Sequence, residues 1–212
     1  ILDDLEVAWN EDQSTAQVVF SLGANVHGES QITLEIEDGG LDLDLATTDD
    51  NAISTRVIDV NVAGVNDLPS LTVIDAVTID EDSGVSTILA TELSSGPLDD
   101  QPIRLSAVSS NSSLITVEST EVNSQTIELS ISPQLDQFGT ASVTVTLEDA
   151  GVDLNFETAD DNLSVTTQIT VTVDAVNDAP TLEIPRRIVV EEDSDLSETV
   201  FTHISAGGGE DQ

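Results

Sequence analysis

A set of landmarks recurs along this chain at a single ungapped offset, which constrains the fold more than any other feature. VNDLP at 65–69 returns as VNDAP at 176–180, 111 residues later. Glu37-Asp38-Gly39-Gly40 returns as Glu148-Asp149-Ala150-Gly151, and Asp49-Asp50-Asn51 as Asp160-Asp161-Asn162. Glu81-Asp82-Ser83 returns as Glu192-Asp193-Ser194, and Gly96 with Asp100-Gln101 as Gly207 with Asp211-Gln212. An Asn-Asp turn followed by Pro stops a strand, so the VND-x-P segments mark the boundaries between repeats. Residues 70–180 are then a complete repeat, 1–69 the C-terminal part of a preceding one, and 181–212 the N-terminal part of a following one.

Seven strands are expected in the complete repeat, at 71–79, 85–92, 102–109, 113–118, 125–131, 141–148 and 164–175. Alternation is clearest in Val143, Val145 and Leu147 and in Ile169, Val171 and Val173, with Thr or Gln between. Ile32, Leu34, Ile36 and Ile58, Val60, Val62 carry the same pattern one period earlier. The apolar supply suits strands: four Phe, one Trp, no Tyr and no Met leave Val, Ile and Leu to fill the interior. No helix is expected. The pattern points to an all-β chain of tandem, seven-stranded immunoglobulin-like or cadherin-like β-sandwiches.

Charge narrows the partners. Against 42 Asp and Glu stand 4 Lys and Arg, a net of −38, which excludes ordinary nucleic-acid binding and opposes contact with anionic membranes. Disorder, the plain reading of such acidity, does not fit a chain of neutral mean hydropathy whose apolar residues alternate. A folded domain this acidic repels itself, so a cation is expected to offset the charge, with calcium the first candidate. A halophilic or marine setting that favours acidic surfaces is the alternative. There is no Cys, so disulfides and thiolate metal sites are excluded. Neither a signal peptide nor a bilayer-spanning apolar stretch stands in the sequence.

If the seven strands alternate in direction, strand counting assigns each acidic loop to an end of the sandwich. Glu81 and Asp82 follow strand one, Asp136 follows strand five, and Asn177 and Asp178 lie in the exit linker, all at one end. Asp99 and Asp100 follow strand two, and Asp149, Asp153, Asp160 and Asp161 follow strand six, at the other end, where Asn66 and Asp67 enter. The first set would face Glu210 and Asp211 of the next repeat. Calcium takes six to eight oxygens from carboxylates, amides and carbonyls, so both ends are candidate sites. Solvated acidic turns are the plain alternative, since Asx residues suit turns for backbone reasons alone. Asp136 has Asn25 as its counterpart one period earlier.

The chain resembles the tandem cadherin-like and immunoglobulin-like repeats of very large bacterial surface adhesins exported by type I secretion. The resemblance is carried by VNDAP at 176–180, EDS at 81–83 and 192–194, LSAVSSNSSLITV at 105–117, EDAG at 148–151 and ISAGGGEDQ at 204–212. It lacks the LDRE-type motif that animal cadherins carry after strand five. The resemblance implies a calcium-stiffened structural spacer of an adhesin or surface filament, extracellular and on the bacterial cell surface. It also implies linear stacking on neighbouring repeats.

Catalytic readings fail one by one. The paired carboxylates are adjacent acids in loops with no aromatic platform for a sugar ring. His27 and His203 occupy non-equivalent repeat positions and read as isolated surface residues. No G-x-S-x-G, HExxH, P-loop, EF-hand loop or RTX nonapeptide is present, and Glu210 and Asp211 after Gly207-Gly208-Gly209 would repel phosphate. The expectation is therefore not an enzyme. A calcium-dependent carbohydrate-binding module is the alternative function, with a cell-surface or polysaccharide target, although 2% aromatic content opposes it. Trp9, Arg186 and Arg187 are not repeated; the arginines are expected to pair with nearby acids. Two expectations cover the partial repeats. The chain is a window from a longer array, or head-to-tail copies complete one another by strand addition.

Overall fold

The computed structural model describes the chain apart from residues 11–14, 48, 194–198, 200 and 210–212. It falls into two compact units, one of Ile1–Asp67 with Pro97–Asp100, the other of Leu68–Gly96 with Gln101–Gln212. All regular structure among the described residues is β-strand.

The first unit holds two antiparallel pairs, β1 (Leu2–Trp9) with β2 (Ala16–Leu22), and β3 (Gly28–Glu37) with β4 (Ile53–Val62). β3 and β4 pair without a break from Gly28↔Val62 to Glu37↔Ile53. Ile32 is the buried apolar residue of this pair, while Ile36, Ile53, Val57 and Ile58 are exposed.

The second unit contains β5 (Ser70–Thr72), β6 (Ala76–Asp80), β7 (Ser86–Ser94), β8 (Ile103–Ser109), β9 (Ile115–Asn123), β10 (Thr126–Pro133), β11 (Gly139–Asp149) and β12 (Ser164–Asp174). A short hairpin follows, β13 (Thr181–Glu183) with β14 (Thr202–Ser205), across which His203 pairs with Glu183 at 2.9 Å. β5-β7-β10-β9 form one four-stranded sheet and β6-β12-β11-β8 another. Ile88, Ile115, Leu129 and Ile131 of the first sheet pack into one core with Ile79, Val143, Val145, Ile169 and Val171 of the second. This is a β-sandwich.

Alternation explains the core. In β11 every second residue from Ala141 through Val143, Val145 and Leu147 to Asp149 is buried, and in β12 the same holds for Ile169, Val171 and Val173. The β-branched Val and Ile among these fit the pleat with little rotamer entropy to lose. Burying each stabilises by about 1.5–3 kcal/mol relative to leaving it in water. β11 and β12 pair from Gly139↔Val173 to Glu148↔Ser164. Each of those positions lies one repeat period after its equivalent in the β3–β4 pair.

One expected strand divides. In place of a single strand at 71–79, β5 pairs antiparallel with β7 and β6 pairs parallel with β12, so residues 70–180 hold eight strand segments in place of the seven expected. A chain that edges both sheets has to leave one and join the other, and residues 73–75 make that crossing. Asp75 still contributes its carbonyl oxygen to Thr170 N–H at 2.8 Å. β9 also runs past its expected end, to Asn123, because β10 pairs with it to the tip of a tight hairpin. Asn123 Oδ1 closes that tip by accepting from Gln125 N–H at 2.9 Å.

Candidate metal centre

Strand direction brings three chain segments to one end of the sandwich. β6 and β12 are parallel, Ala76 opposite Thr170 and Asp80 opposite Asp174, so both leave the sheet together. Beyond Asp80 the chain turns: Glu81 N–H donates to Asp174 O at 2.9 Å, and Ser83 N–H to Asp80 O at 3.3 Å. After β10, Gln137 N–H donates to Gln134 O at 3.2 Å, closing a second turn. Asp82 (φ 60°) and Asp136 (φ 56°) are both left-handed, a conformation that Asp tolerates better than most residues. The two turns meet where Asp136 N–H donates to Asp82 Oδ1 at 3.4 Å.

Here one carboxylate oxygen from each of Asp82, Asp136 and Asp178 lies within 4.8 Å of the other two. Partial burial, then the neighbouring Asp178 and Asp82 carboxylates, hold the Asp136 pKa above the usual carboxylate range. Glu81, next to Asp82, is 1% exposed. Its Oε1 accepts from Val176 N–H at 2.9 Å, but Oε2 is buried with no hydrogen-bond partner. An orphaned buried carboxylate oxygen is costly. Oxygen-only donors at this spacing suit a hard divalent cation, since ligands about 2.3–2.6 Å from calcium stand up to about 5 Å apart. The residues present fit the ion.

Other expected ligands fare differently. Asn177 Nδ2 donates to Asp178 O at 3.1 Å, while Glu210 and Asp211 lie outside the described residues. In the first unit Asp99 Oδ2 accepts from Asp67 N–H at 3.0 Å, and both line a cleft with Asn25 and His27. Asn66 and Asp100 stand beside them in sequence. In the β11–β12 loop, Asp149 Oδ1 accepts from Gly151 N–H and Leu163 N–H, each at 3.0 Å. Asp161 Oδ2 accepts from Val152 N–H at 2.7 Å, and Asp153 accepts from Asn155 N–H and the Thr158 hydroxyl. These three carboxylates clasp their own loop, while Asp160 is exposed. Among the described residues, the Asp82, Asp136 and Asp178 group has the spacing for a shared ion.

The β3–β4 loop repeats the clasp with residues outside the expected ligand set. Asp38 Oδ1 accepts from Gly40 and Ala52 N–H at 3.1 and 2.9 Å, and Asp50 Oδ2 accepts from Leu41 N–H at 2.7 Å. Asp42 accepts from the Thr47 hydroxyl at 2.6 Å and from Asp44 N–H at 3.0 Å. The repeat offset that relates Asp38 to Asp149 was the available signal. The Ala52 and Gly40 amides lower the Asp38 pKa, and the Thr47 hydroxyl followed by the Asp44 amide lowers that of Asp42. Depressed acids contribute stability above their unfolded pKa and lose it as pH falls through the folded value. Carboxyl chemical shifts followed through an acid titration should therefore show Asp38 and Asp42 titrating below the ordinary aspartate range, with the loop intact until they protonate. Midpoints in the ordinary aspartate range would remove the clasp.

Fold and site together define an all-β protein with a carboxylate cluster where strands leave a sandwich. No protein-family model matches the chain, and no curated protein does. Solved structures similar to it include an endo-fucoidan hydrolase, MfFcnA4 H294Q of glycoside hydrolase family 107, at 14% identity and TM-score 0.38 over 81% of this chain. Domains 4 and 5 of the S-layer protein SbsC match at 11% identity and TM-score 0.36, over 81% of this chain and 95% of that one. Cadherin-like domains 1 to 4 of zebrafish RET match at 11% identity and TM-score 0.33, over 90% of this chain and 51% of theirs. The chain spans 22% of the hydrolase's length. All three TM-scores are under 0.5, so the fold rests on the strand pairing above. Among the described residues no helix is long and apolar enough to cross a membrane.

Proposed function

We propose that this chain is a calcium-binding structural repeat of a bacterial cell-surface protein, a spacer in an adhesin or surface filament, and that it is not an enzyme. The observation that carries the reading is the meeting of Asp82, Asp136 and Asp178, from three separate segments, within ligand distance of one ion. A cation there ties the turns after β6 and β10 to the linker leaving β12. That stiffens the exit of the sandwich, which is what a load-bearing spacer needs. The tandem reading, a complete immunoglobulin-like or cadherin-like β-sandwich repeat at 70–180 between the C-terminal part of one at 1–69 and the N-terminal part of another at 181–212, is supported by the equivalent registers of β3–β4 and β11–β12. Neighbouring repeats, or head-to-tail copies, are the partners that would cover exposed Leu5, Val7, Val57 and Ile58.

Calorimetric titration of calcium into chelator-stripped protein tests the reading. Saturable uptake is expected, weakened strongly by Asp82→Asn combined with Asp178→Asn. Heats of dilution alone from the unaltered chain would end it.

A further inference from the structure

The Asp136 carboxylate is covered from one side by main chain. A Cβ placed on Gly208 would stand 2.6 Å from Asp136 Oδ2 and nearer still to Oδ1. One on Gly209 would stand 2.5 Å from the Asp136 carbonyl oxygen. Gly209 has φ +66°, so its backbone conformation alone favours glycine, although Leu98, one period earlier, holds φ 61°. Gly208 is different. Its φ lies outside the left-handed region, so an alanine there strains no backbone, and the space required by the Asp136 carboxylate is what excludes a side chain.

We infer that Gly208 is a positioning residue for the cation site. Its missing side chain lets the 206–209 turn lie on Asp136 while that carboxylate keeps its place beside Asp82 and Asp178. The inference rests on the calcium reading, which has a second support in the buried, partnerless Glu81 Oε2 on the turn that carries Asp82. The Asp136 main chain is held by its N–H bond to Asp82 and by the turn from Gln134 to Gln137. A methyl group at 208 therefore displaces the mobile part, the carboxylate, and takes one ligand from the cluster. The sandwich core is untouched, because its buried residues lie between Ile79 and Val173. One period earlier the contrasting pair stands in the sequence: Asn25 in place of Asp136 and Pro97 in place of Gly208. Where the first position carries a neutral amide, the second carries a ring.

The test is a double-mutant cycle on the full chain, reading calcium affinity by calorimetry and metal-free stability by thermal melting. Gly208→Ala should melt like the unaltered protein without metal, yet bind calcium about tenfold more weakly, the low end of what losing support for a metal ligand costs. Asp136→Asn should weaken binding similarly. The double variant should bind no more weakly than Asp136→Asn alone, since the carboxylate that Gly208 protects is already gone. Unchanged affinity in Gly208→Ala, losses that multiply in the double variant, or a lowered metal-free melting point would each overturn the positioning role. If the unaltered chain takes up no calcium, the calcium reading itself fails. If it binds and Gly208→Ala binds equally well, only the positioning role fails.

Discussion

Saturating calcium should raise the thermal unfolding midpoint by roughly 10 °C, since a ligand at a hundredfold excess over Kd adds about 2.7 kcal/mol to the folded state. The unfolded chain scatters Asp82, Asp136 and Asp178 across 97 sequence positions and has no comparable site. The folded chain holds their oxygens within 4.8 Å. Without metal, partial burial and then that proximity disfavour the charged form, which is why Asp136 is reluctant to ionise. An acid whose folded pKa is raised contributes stability below its unfolded pKa and loses it as pH rises through the folded value. Metal-free protein should therefore weaken as pH climbs past the ordinary carboxylate range. Calcium reverses the sign, because it holds the carboxylates ionised and is released by acid. Scans in chelator and in excess calcium, at two pH values, measure both effects. Superimposable melts at low ionic strength would remove calcium from this site. An equal calcium shift in Asp178→Asn would place the ion elsewhere.

Replacing Asp149 by alanine should cost about 2–5 kcal/mol, read as a lower urea midpoint at unchanged slope. Asp149 has no exposed surface and ends the buried row of β11. Its Oδ1 receives the amides of Gly151 and Leu163, so one side chain closes both feet of the β11–β12 loop. Alanine leaves those two donors without that acceptor at the edge of the core. Asparagine keeps a side-chain oxygen at the position and should lose less, which separates the hydrogen bonds from the charge. Asp153→Ala, in the same loop but exposed, is the control and should shift stability by less than about 1 kcal/mol. Equal costs at Asp149 and Asp153 would show that the two hydrogen bonds of Asp149 are not what holds the loop.

Several strands are readable without coordinates. Val143, Val145 and Leu147, like Ile169, Val171 and Val173, alternate in sequence and are buried in the structure, because a strand face repeats every second residue. The first strand is less transparent. Its apolar residues read as one run, yet residues 73–75 break it between two sheets, and that break depends on which strands await on either side. Acidic residues are harder still. The same Asx preference for turns places Asp136 in a carboxylate cluster and Asp149 or Asp153 in a loop clasp, and no local pattern separates the two.

The sequence alone determined the all-β character, because alternation is a property of the chain as written, and its spacing and charge set the expectations of a repeat and of a cationic partner. Strand counting also carried Glu81, Asp82, Asp136 and Asp178 to one end, since direction follows from the order of strands. Distance does not follow from order. Only the tertiary structure decided that three of these acids converge within 4.8 Å, that Glu81 is buried beside them and that Gly208 lies on Asp136. The physical reason is that the parallel exit of β6 and β12 and the left-handed turns at Asp82 and Asp136 set those separations. Both are relations between segments far apart in the chain or backbone choices that several residue types accept.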